Sequence, residues 1–199
     1  MIASLETIAE EVRVCARCRL HEGRTHAVPG EGNHRARVML IGEAPGRQED
    51  ETGRPFVGPS GRFLDELLAL AGLTRADVFI TSVNKCRPPG NRTPRLDEIG
   101  TCVAAHLSRQ LLAIEPEVLV LLGATAVQGV LKAKVPKLAE LAGKEIDHEG
   151  RHLLVTYHPA AGMRFPAIRQ AMRKHFRRLR AMAAAGAGAR LRRRRSIPE

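Results

Sequence analysis

Residues 42–58 bring four carboxylates and a phenylalanine into one segment bracketed by glycine and proline. They follow the apolar run Val38–Ile41, which is typical of a buried strand. Enzymes with parallel sheets build their sites where strands end, because helix N-termini and backbone amides converge there. A carboxylate at such an edge can act as a general base or balance positive charge on a substrate. The segment therefore predicts a catalytic loop, and the alternative is a solvated acidic loop.

Four cysteines, Cys15, Cys18, Cys86 and Cys102, form a second group of residues that can do chemistry. The first two make a C-x2-C pair, in which one backbone turn presents two thiolates to one metal centre. Cys86 follows a predicted strand and Cys102 lies in the next predicted helix, so the fold can bring all four together. Four thiolates suit either Zn²⁺ or a [4Fe–4S] cluster. The spacing leaves both open, beside the alternative of four unrelated buried cysteines.

The chain alternates apolar runs with amphipathic helical segments. Runs rich in Val, Ile and Leu predict strands covered on both faces at Val38–Ile41, Val78–Val83, Val118–Leu122 and Leu153–Thr156. The main helices are predicted at Ser60–Ala71, Pro94–Ile114, Ala124–Leu131 and Pro166–Met182. This alternation indicates a parallel sheet wrapped by helices. His158 follows the last strand, so we expect it at the same sheet edge as Glu43.

Positive charge concentrates at the C-terminal end of the chain. The net charge is +11, yet residues 1–163 hold 20 Lys/Arg and 20 Asp/Glu, whereas residues 164–199 hold 12 Lys/Arg and one acid. Such localisation indicates a polyanionic partner. We expect one domain over residues 1–183 and a basic, disordered tail over residues 184–199. No apolar run reaches the roughly 18 residues that span a bilayer, so we expect a cytoplasmic protein without membrane contact.

Motifs in a fixed order make the chain resemble the family 4, or iron–sulfur, uracil-DNA glycosylases. They comprise the C-x2-C pair, GEAPG at 42–46, Glu49-Asp50, TGRPFVG at 52–58, KCRPP at 85–89, the fourth cysteine and YHPA at 157–160. The resemblance implies a three-layer α/β/α sandwich, and the four predicted strands form its central, mainly parallel sheet. It also implies a [4Fe–4S] cluster on the four cysteines and excision of uracil from DNA. We expect a monomer that acts on uracil-containing DNA, single- or double-stranded.

The resemblance also implies roles for residues in the predicted loop and after the last strand. Phe56 supplies a flat face on which uracil stacks, and backbone amides around Gly42–Ala44 hold its carbonyls. His158 lies near the uracil O2 and stabilises the departing anion. Glu43 is the first candidate for orienting water or balancing charge on the sugar, and Glu49 is the second.

One strand end departs from the family pattern. Family members carry T-N-x-x-K-C, whereas residues 81–86 read T-S-V-N-K-C, so that Ser82 replaces the asparagine that reads the uracil edge. Asn84 lies two residues on, and side chains at that spacing share a strand face. A serine hydroxyl matches N3–H and O4 of uracil less fully than an amide does. We therefore expect altered base reading or reduced efficiency, and the alternative function is a uracil- or lesion-binding protein with weak excision.

Further residues near the same sheet edge are candidate DNA contacts. Arg87 and Arg92 lie in a loop stiffened by proline and glycine, and Ser60 opens a helix whose N-terminus suits a phosphate. Met163 and Arg164 follow the His-Pro turn, where the resemblance places the loop that fills the gap left by an extruded base. A third function, a zinc-stabilised nucleic-acid-binding module, stays open beside the enzyme and the binding protein.

Overall fold

Within the residues that the computed structural model describes, 3–133 and 137–185, a six-stranded sheet forms the centre of the fold. The strands are β1 Glu31–Gly32, β2 Val38–Gly42, β3 Val78–Ser82, β4 Val118–Leu122, β5 Glu145–His148 and β6 Arg151–Thr156. Their spatial order is β1-β3-β2-β4-β6-β5. The four inner strands run parallel, whereas β1 and β5 pair antiparallel at the edges.

The inner strands confirm the predicted parallel sheet, and the predicted number of four strands is corrected to six within the described residues. Neither edge strand carries an apolar run. β1 has only two residues, and β5 reads Glu-Ile-Asp-His with all four residues exposed or half-exposed. An edge strand with one solvated face needs few apolar side chains, so a search for apolar runs does not find it.

Helices cover both faces of the sheet. They are α1 Leu5–Arg13, α2 Arg47–Thr52, α3 Pro59–Leu70, α4 Leu96–Cys102, α5 Ser108–Ile114, α6 Ala124–Leu131, α7 Pro159–Arg164 and α8 Pro166–Ala185. A π-helical turn, Val103–Leu107, joins α4 to α5. Short 3₁₀ turns lie at Arg19–His21, Arg75–Asp77, Pro89–Asn91 and Leu138–Glu140.

Two apolar cores hold the layers together. On one face of the sheet, α1, α5 and α6 bury side chains such as Ile8 and Val127. On the other face, α3 and α8 bury side chains such as Leu67 and Phe176. Burial of one such side chain contributes about 1.5–3 kcal/mol, so these helices are held to the sheet mainly by apolar packing. The three layers of the predicted α/β/α sandwich are confirmed.

The C-terminal part of the chain is described only as far as Ala185, where α8 ends. The helix predicted to end at Met182 therefore continues for three more residues. Most of the predicted basic tail, from residue 186 onward, lies outside the described residues, and its disorder stays a prediction. Across the described ranges, no helix combines the length and the apolar character that a membrane crossing requires.

The register of the sheet brings several strand ends together. Gly42 at the end of β2 pairs with Ser82 at the end of β3, and the ends of β4 and β6 pair in the same way. The segments that follow these strands therefore start side by side at one edge. This placement puts Glu43, Ser82 and His158 around a common cleft. Open parallel sheets commonly bind their ligands at this edge, beyond the carboxyl ends of the strands.

Candidate active site

A cleft of about 470 Å³ opens at this edge of the sheet. Its volume falls in the range of small-molecule sites. The walls come from the segments after β2, β3 and β6 and from the loops near residues 55 and 90. The predicted site residues that line it are Glu43, Ala44, Glu49, Phe56, Ser60, Ser82, Arg92 and His158.

The Phe56 ring lies close to both the end of β2 and the His158 ring. The two ring centroids are 5.9 Å apart and the ring planes are inclined by 30°. Gly42 lies against the Phe56 ring, because a Cβ at residue 42 would come within 2.5 Å of Phe56 Cζ. Gly42, predicted as a contact to the base, therefore leaves room for the ring. Phe56 also has a φ of +51°, which is uncommon outside glycine and persists only where the surroundings impose it.

Two side chains impose the conformation of the Phe56 loop. Glu49 Oε1 accepts hydrogen bonds from the backbone N–H groups of Val57 and Gly58, both at 2.9 Å. Arg75 donates to the backbone carbonyl of Phe56 from a position 19 residues further along the chain. Glu49 therefore positions the Phe56 loop, in addition to lining the cleft. No sequence pattern singles out Arg75, since its role depends on a tertiary contact.

His158 precedes α7 and presents its ring to the cleft. Its Nδ1 accepts a hydrogen bond from the backbone N–H of Ala160 at 3.2 Å. Burial lowers the pKa of His158 to about 4, although the Glu49 carboxylate opposes this shift. The ring is therefore neutral near pH 7, and because Nδ1 accepts, we assign the proton to Nε2. A neutral imidazole N–H that is held in place can stabilise negative charge as it develops on a substrate.

Glu43 directly follows β2 and lines the cleft. Its Oε2 accepts a hydrogen bond from Thr125 Oγ1 at 2.5 Å, and Thr125 is only 5% exposed, in the first turn of α6. The hydroxyl group fixes the orientation of the carboxylate. Ala44, the next residue, also lines the cleft. No local sequence pattern marks Thr125, because 82 residues separate it from Glu43.

Ser82 lines the cleft, but Asn84 does not. β3 ends at Ser82, so the alternation of side chains does not continue to Asn84. The Asn84 side chain is fully buried, and its Nδ2 donates to the backbone carbonyl of Glu98 at 3.0 Å. The expectation that Asn84 shares a strand face with Ser82 is therefore wrong. Ser82 remains the candidate for contacting the edge of a base.

The two predicted arginines of the loop near residue 90 are engaged in contacts within the protein. The guanidinium nitrogens of Arg92 donate to the Glu98 carboxylate at 2.7 and 2.8 Å. Glu98 is buried, and these hydrogen bonds hold its pKa at about 2. Arg87 does not line the cleft, and its Nε donates to Asn91 Oδ1 at 2.7 Å. Arg92 ties the loop to α4, so these contacts do not support the prediction that it binds phosphate.

Exposed apolar side chains stand at the end of α7. Met163 is 41% exposed, and its sulfur lies 3.9 Å from Ser60 Oγ at the start of α3. Phe165, which sequence analysis did not single out, is 47% exposed. The Arg164 guanidinium lies over the Phe165 ring, 5.3 Å from its centroid. Met163 and Phe165 are therefore both placed as apolar candidates for filling a gap in a base stack.

The four cysteines line one small cavity away from the cleft. They come from the segment after α1, from the turn after β3 and from α4, and they are Cys15, Cys18, Cys86 and Cys102. Arg24 Nη1 donates to Cys86 Sγ at 3.0 Å. In the part of the chain that the structure describes, no group of three or more His, Cys, Asp or Glu side chains is arranged to hold a metal ion. The shared cavity nevertheless collects the donor set that thiolate-bound clusters use.

Comparisons with known proteins agree with the fold. The sequence model of the uracil DNA glycosylase superfamily matches residues 29–180. A type-4 uracil-DNA glycosylase of Saccharolobus solfataricus is 43% identical over 185 residues, which cover 89% of this chain and 85% of that protein. A type-4 uracil-DNA glycosylase of Thermotoga maritima is 44% identical over 157 residues, 78% of this chain and 81% of that protein. A type-5 uracil-DNA glycosylase of Pyrobaculum aerophilum is 36% identical over 149 residues, 67% of this chain and 65% of that protein.

The fold, the cleft and these matches define the class, and the chain belongs to the uracil DNA glycosylase superfamily. Within that superfamily it belongs with the type-4 uracil-DNA glycosylases, to which it is 41–44% identical over most of its length. The resemblance found from the ordered motifs is therefore confirmed.

Proposed function

We propose that this protein hydrolyses the N-glycosidic bond between uracil and deoxyribose in DNA and leaves an abasic site. Membership of the type-4 uracil-DNA glycosylases supports this activity. The observation that carries the mechanism is the meeting of the Phe56 face, the neutral His158 ring and the Glu43 carboxylate in one cleft. That combination offers a stacking surface, an N–H donor and a negative charge to one flipped nucleotide.

Each of the cleft residues has a separate role in the proposed reaction. An extruded uracil stacks on Phe56, whose loop Glu49 holds in place. The bond between C1′ and N1 breaks with its electron pair remaining on uracil, and the Nε2–H of His158 stabilises the anion at O2. Glu43 balances the positive charge that develops on the sugar. It also accepts a proton from the water whose oxygen bonds to C1′.

The activity is tested with oligonucleotides that contain one uracil, as single strands and as duplexes, incubated with the purified protein and then with alkali. Cleavage at the uracil only after alkali supports the glycosylase. The same oligonucleotide with thymine at that position is the matched control. Binding of the uracil strand without cleavage would favour the alternative of a uracil-binding protein, which the serine at residue 82 motivates.

The excision rate should be level between about pH 6 and pH 8. His158 has a pKa of about 4, so the ring is neutral across that range and its N–H donor is unchanged. A protonated imidazole with an ordinary pKa near 6.5 would instead lose about tenfold or more as the pH rises to 8. Single-turnover rates measured with saturating enzyme at constant ionic strength distinguish the two. A falling alkaline limb centred near 6.5 would contradict a neutral donor.

Substitutions at residue 49 separate positioning of the Phe56 loop from participation in the reaction. Glu49→Gln keeps an oxygen that can accept both backbone N–H groups, so its rate should stay within about threefold of wild type. Glu49→Ala loses both hydrogen bonds, each worth about 0.5–1.5 kcal/mol, and should lower the rate about tenfold or more. Single-turnover rates of the two variants distinguish a positioning role of Glu49 from a role of its charge in the reaction. Equal losses in both variants would mean that the charge of Glu49 takes part in the chemistry.

Substitution of residue 82 should change the recognition of uracil, and substitution of residue 84 should not. Ser82→Asn restores an amide that can both donate to and accept from the uracil edge, and should raise kcat/KM about tenfold. Asn84→Ala removes a buried hydrogen bond to the Glu98 carbonyl, so it should lower the melting temperature and leave the rate per folded molecule unchanged. A loss of base discrimination in Asn84→Ala would show that the buried amide reads the base after all.

We also propose that the four cysteines hold a [4Fe–4S] cluster. Their convergence on one cavity from three separate segments supports this, as does the Arg24 donor beside Cys86. When bound, the cluster supplies a crosslink between the N-terminal segment, the turn after β3 and α4, and its metal–ligand bonds add to folding stability. Iron and acid-labile sulfide in brown protein would support the cluster, and zinc in colourless protein would support the alternative. A cytoplasmic location and a monomeric state stay predictions from the sequence.

A further inference from the structure

A buried histidine that the proposed mechanism does not use lines the cysteine cavity. His106 is 2% exposed and borders the same cavity as the four cysteines. Neither of its ring nitrogens has a hydrogen-bond partner among the described residues. Burial of an unpaired polar group costs about 1–3 kcal/mol, so such a group calls for an explanation, and a functional role at a redox or catalytic site is one of the known ones.

The helix that carries His106 is irregular at that point. Cys102 ends α4, and the π-helical turn Val103–Leu107 follows at once and includes His106. Single π-helical turns within α-helices are rare and occur frequently at functional sites. The irregular turn lies where the chain passes from a cysteine to the unpaired imidazole. Two independent features, the unpaired ring and the irregular turn, therefore coincide at this wall of the cavity.

The ammonium group of the neighbouring lysine has no N–H left for the cavity in its present position. Lys85 lines the cavity and is fully buried. Its ammonium group donates to Thr81 Oγ1 at 2.6 Å, to the Ser82 carbonyl at 2.7 Å and to Gln110 Oε1 at 2.7 Å. An ammonium group has three N–H donors, and these partners use all of them. Beyond the backbone hydrogen bond of Lys85 to Cys102, the lysine side chain therefore offers the cavity only its charge. An imidazole carries at least one N–H in any protonation state.

We propose that His106 donates an N–H hydrogen bond to a sulfur of the cluster or of one of its cysteine ligands, and thereby raises the reduction potential of the cluster. The inference rests on the proposed cluster. Hydrogen bonds to the sulfurs of such clusters stabilise the more negative, reduced state. His106 would also gain the partner that it lacks in the protein alone. The role is one of tuning and is separate from the uracil cleft.

The test compares three variants of the full-length, iron-loaded protein on an electrode. His106→Leu places an apolar side chain without a donor in the cavity wall, and His106→Gln retains an N–H. His175→Leu removes a half-buried imidazole on α8 that lies away from the cysteines, beside Thr156 and Tyr157. We expect His106→Leu to change the ratio of oxidised to reduced cluster about tenfold at a given potential, a shift of about 59 mV to more negative values. His106→Gln should lie closer to wild type, and His175→Leu should match it.

A second measurement keeps the inference testable if His106→Leu does not hold iron. Pulsed electron paramagnetic resonance of wild-type protein with ¹⁵N-labelled histidine should show a weak coupling from the paramagnetic cluster to a ring nitrogen. The coupling should vanish in His106→Gln labelled in the same way. An unshifted potential in iron-loaded His106→Leu, or a coupling that persists in His106→Gln, would overturn the inference alone. A wild-type protein without iron would overturn the proposed cluster together with the inference, and would leave uracil excision to its own assay.

Discussion

Replacing His158 with alanine should lower the single-turnover rate of uracil excision about 100- to 1,000-fold. In the proposed mechanism the ring provides the neutral N–H donor of the cleft, since Nδ1 accepts from the Ala160 N–H and we assign the proton to Nε2. Loss of one such donor to a developing anion typically costs this much in rate. Alanine also removes the ring that lies against Phe56. The effect should fall on the rate of the chemical step, measured with enzyme in excess over a uracil-containing oligonucleotide.

The matched control is His152→Ala. His152 is an exposed histidine near the start of β6, whereas His158 lies beyond the end of that strand, so the control should retain the wild-type rate. Affinity for uracil-containing DNA is measured in parallel, because a loss of binding alone would be visible there. A His158→Ala rate within about threefold of wild type would show that this imidazole does not stabilise the leaving base.

Replacing Glu43 with glutamine should lower the same rate about 100-fold or more. Glutamine keeps the shape of the side chain and an oxygen that can accept the hydrogen bond from Thr125, so mainly the negative charge is lost. A carboxylate that positions water and receives its proton commonly contributes about 10²–10⁴-fold. Single-turnover kinetics measure the loss, and the melting temperature checks that the variant is folded.

Thr125→Val provides the comparison for Glu43→Gln. It retains the charge of Glu43 but removes the hydroxyl that orients the carboxylate, so it should lose only about tenfold. Full activity in Glu43→Gln would move the catalytic carboxylate elsewhere in the cleft. Glu49 would then be the residue to consider, and the comparison of Glu49→Gln with Glu49→Ala decides whether its charge takes part.

The parts of the fold that sequence analysis predicted correctly are those with strong local signals. Each of the four inner strands contains a run of apolar residues, and the helices carry apolar stripes at the helical period. The edge strand β5 has neither signal, because its pairing with β6 holds it in place. The prediction for Asn84, which assumed that side chains continue to alternate along β3, was wrong because the pairing of β3 with β2 ends at Ser82. Where a strand stops is decided by its neighbours, which the local sequence does not contain.

In the candidate site, too, residues in local sequence motifs could be predicted and residues placed by tertiary contacts could not. Glu43, Phe56 and His158 could be found because they lie in short motifs that follow strands. Thr125 and Arg75 could not, although one orients the Glu43 carboxylate and the other fixes the Phe56 loop. Their contacts span 82 and 19 residues of chain and use side chains that are unremarkable in their local sequence. The roles of such supporting residues can be recognised only from the tertiary contacts of the folded chain.

The most direct test of the proposed activity is to quantify free uracil released from an oligonucleotide with one uracil when the protein is in excess. We predict one uracil released for each oligonucleotide, with the strand intact until alkali is added. This result would show that the protein breaks only the bond between C1′ and N1. Stable binding of the oligonucleotide without release of uracil would contradict the proposed hydrolysis.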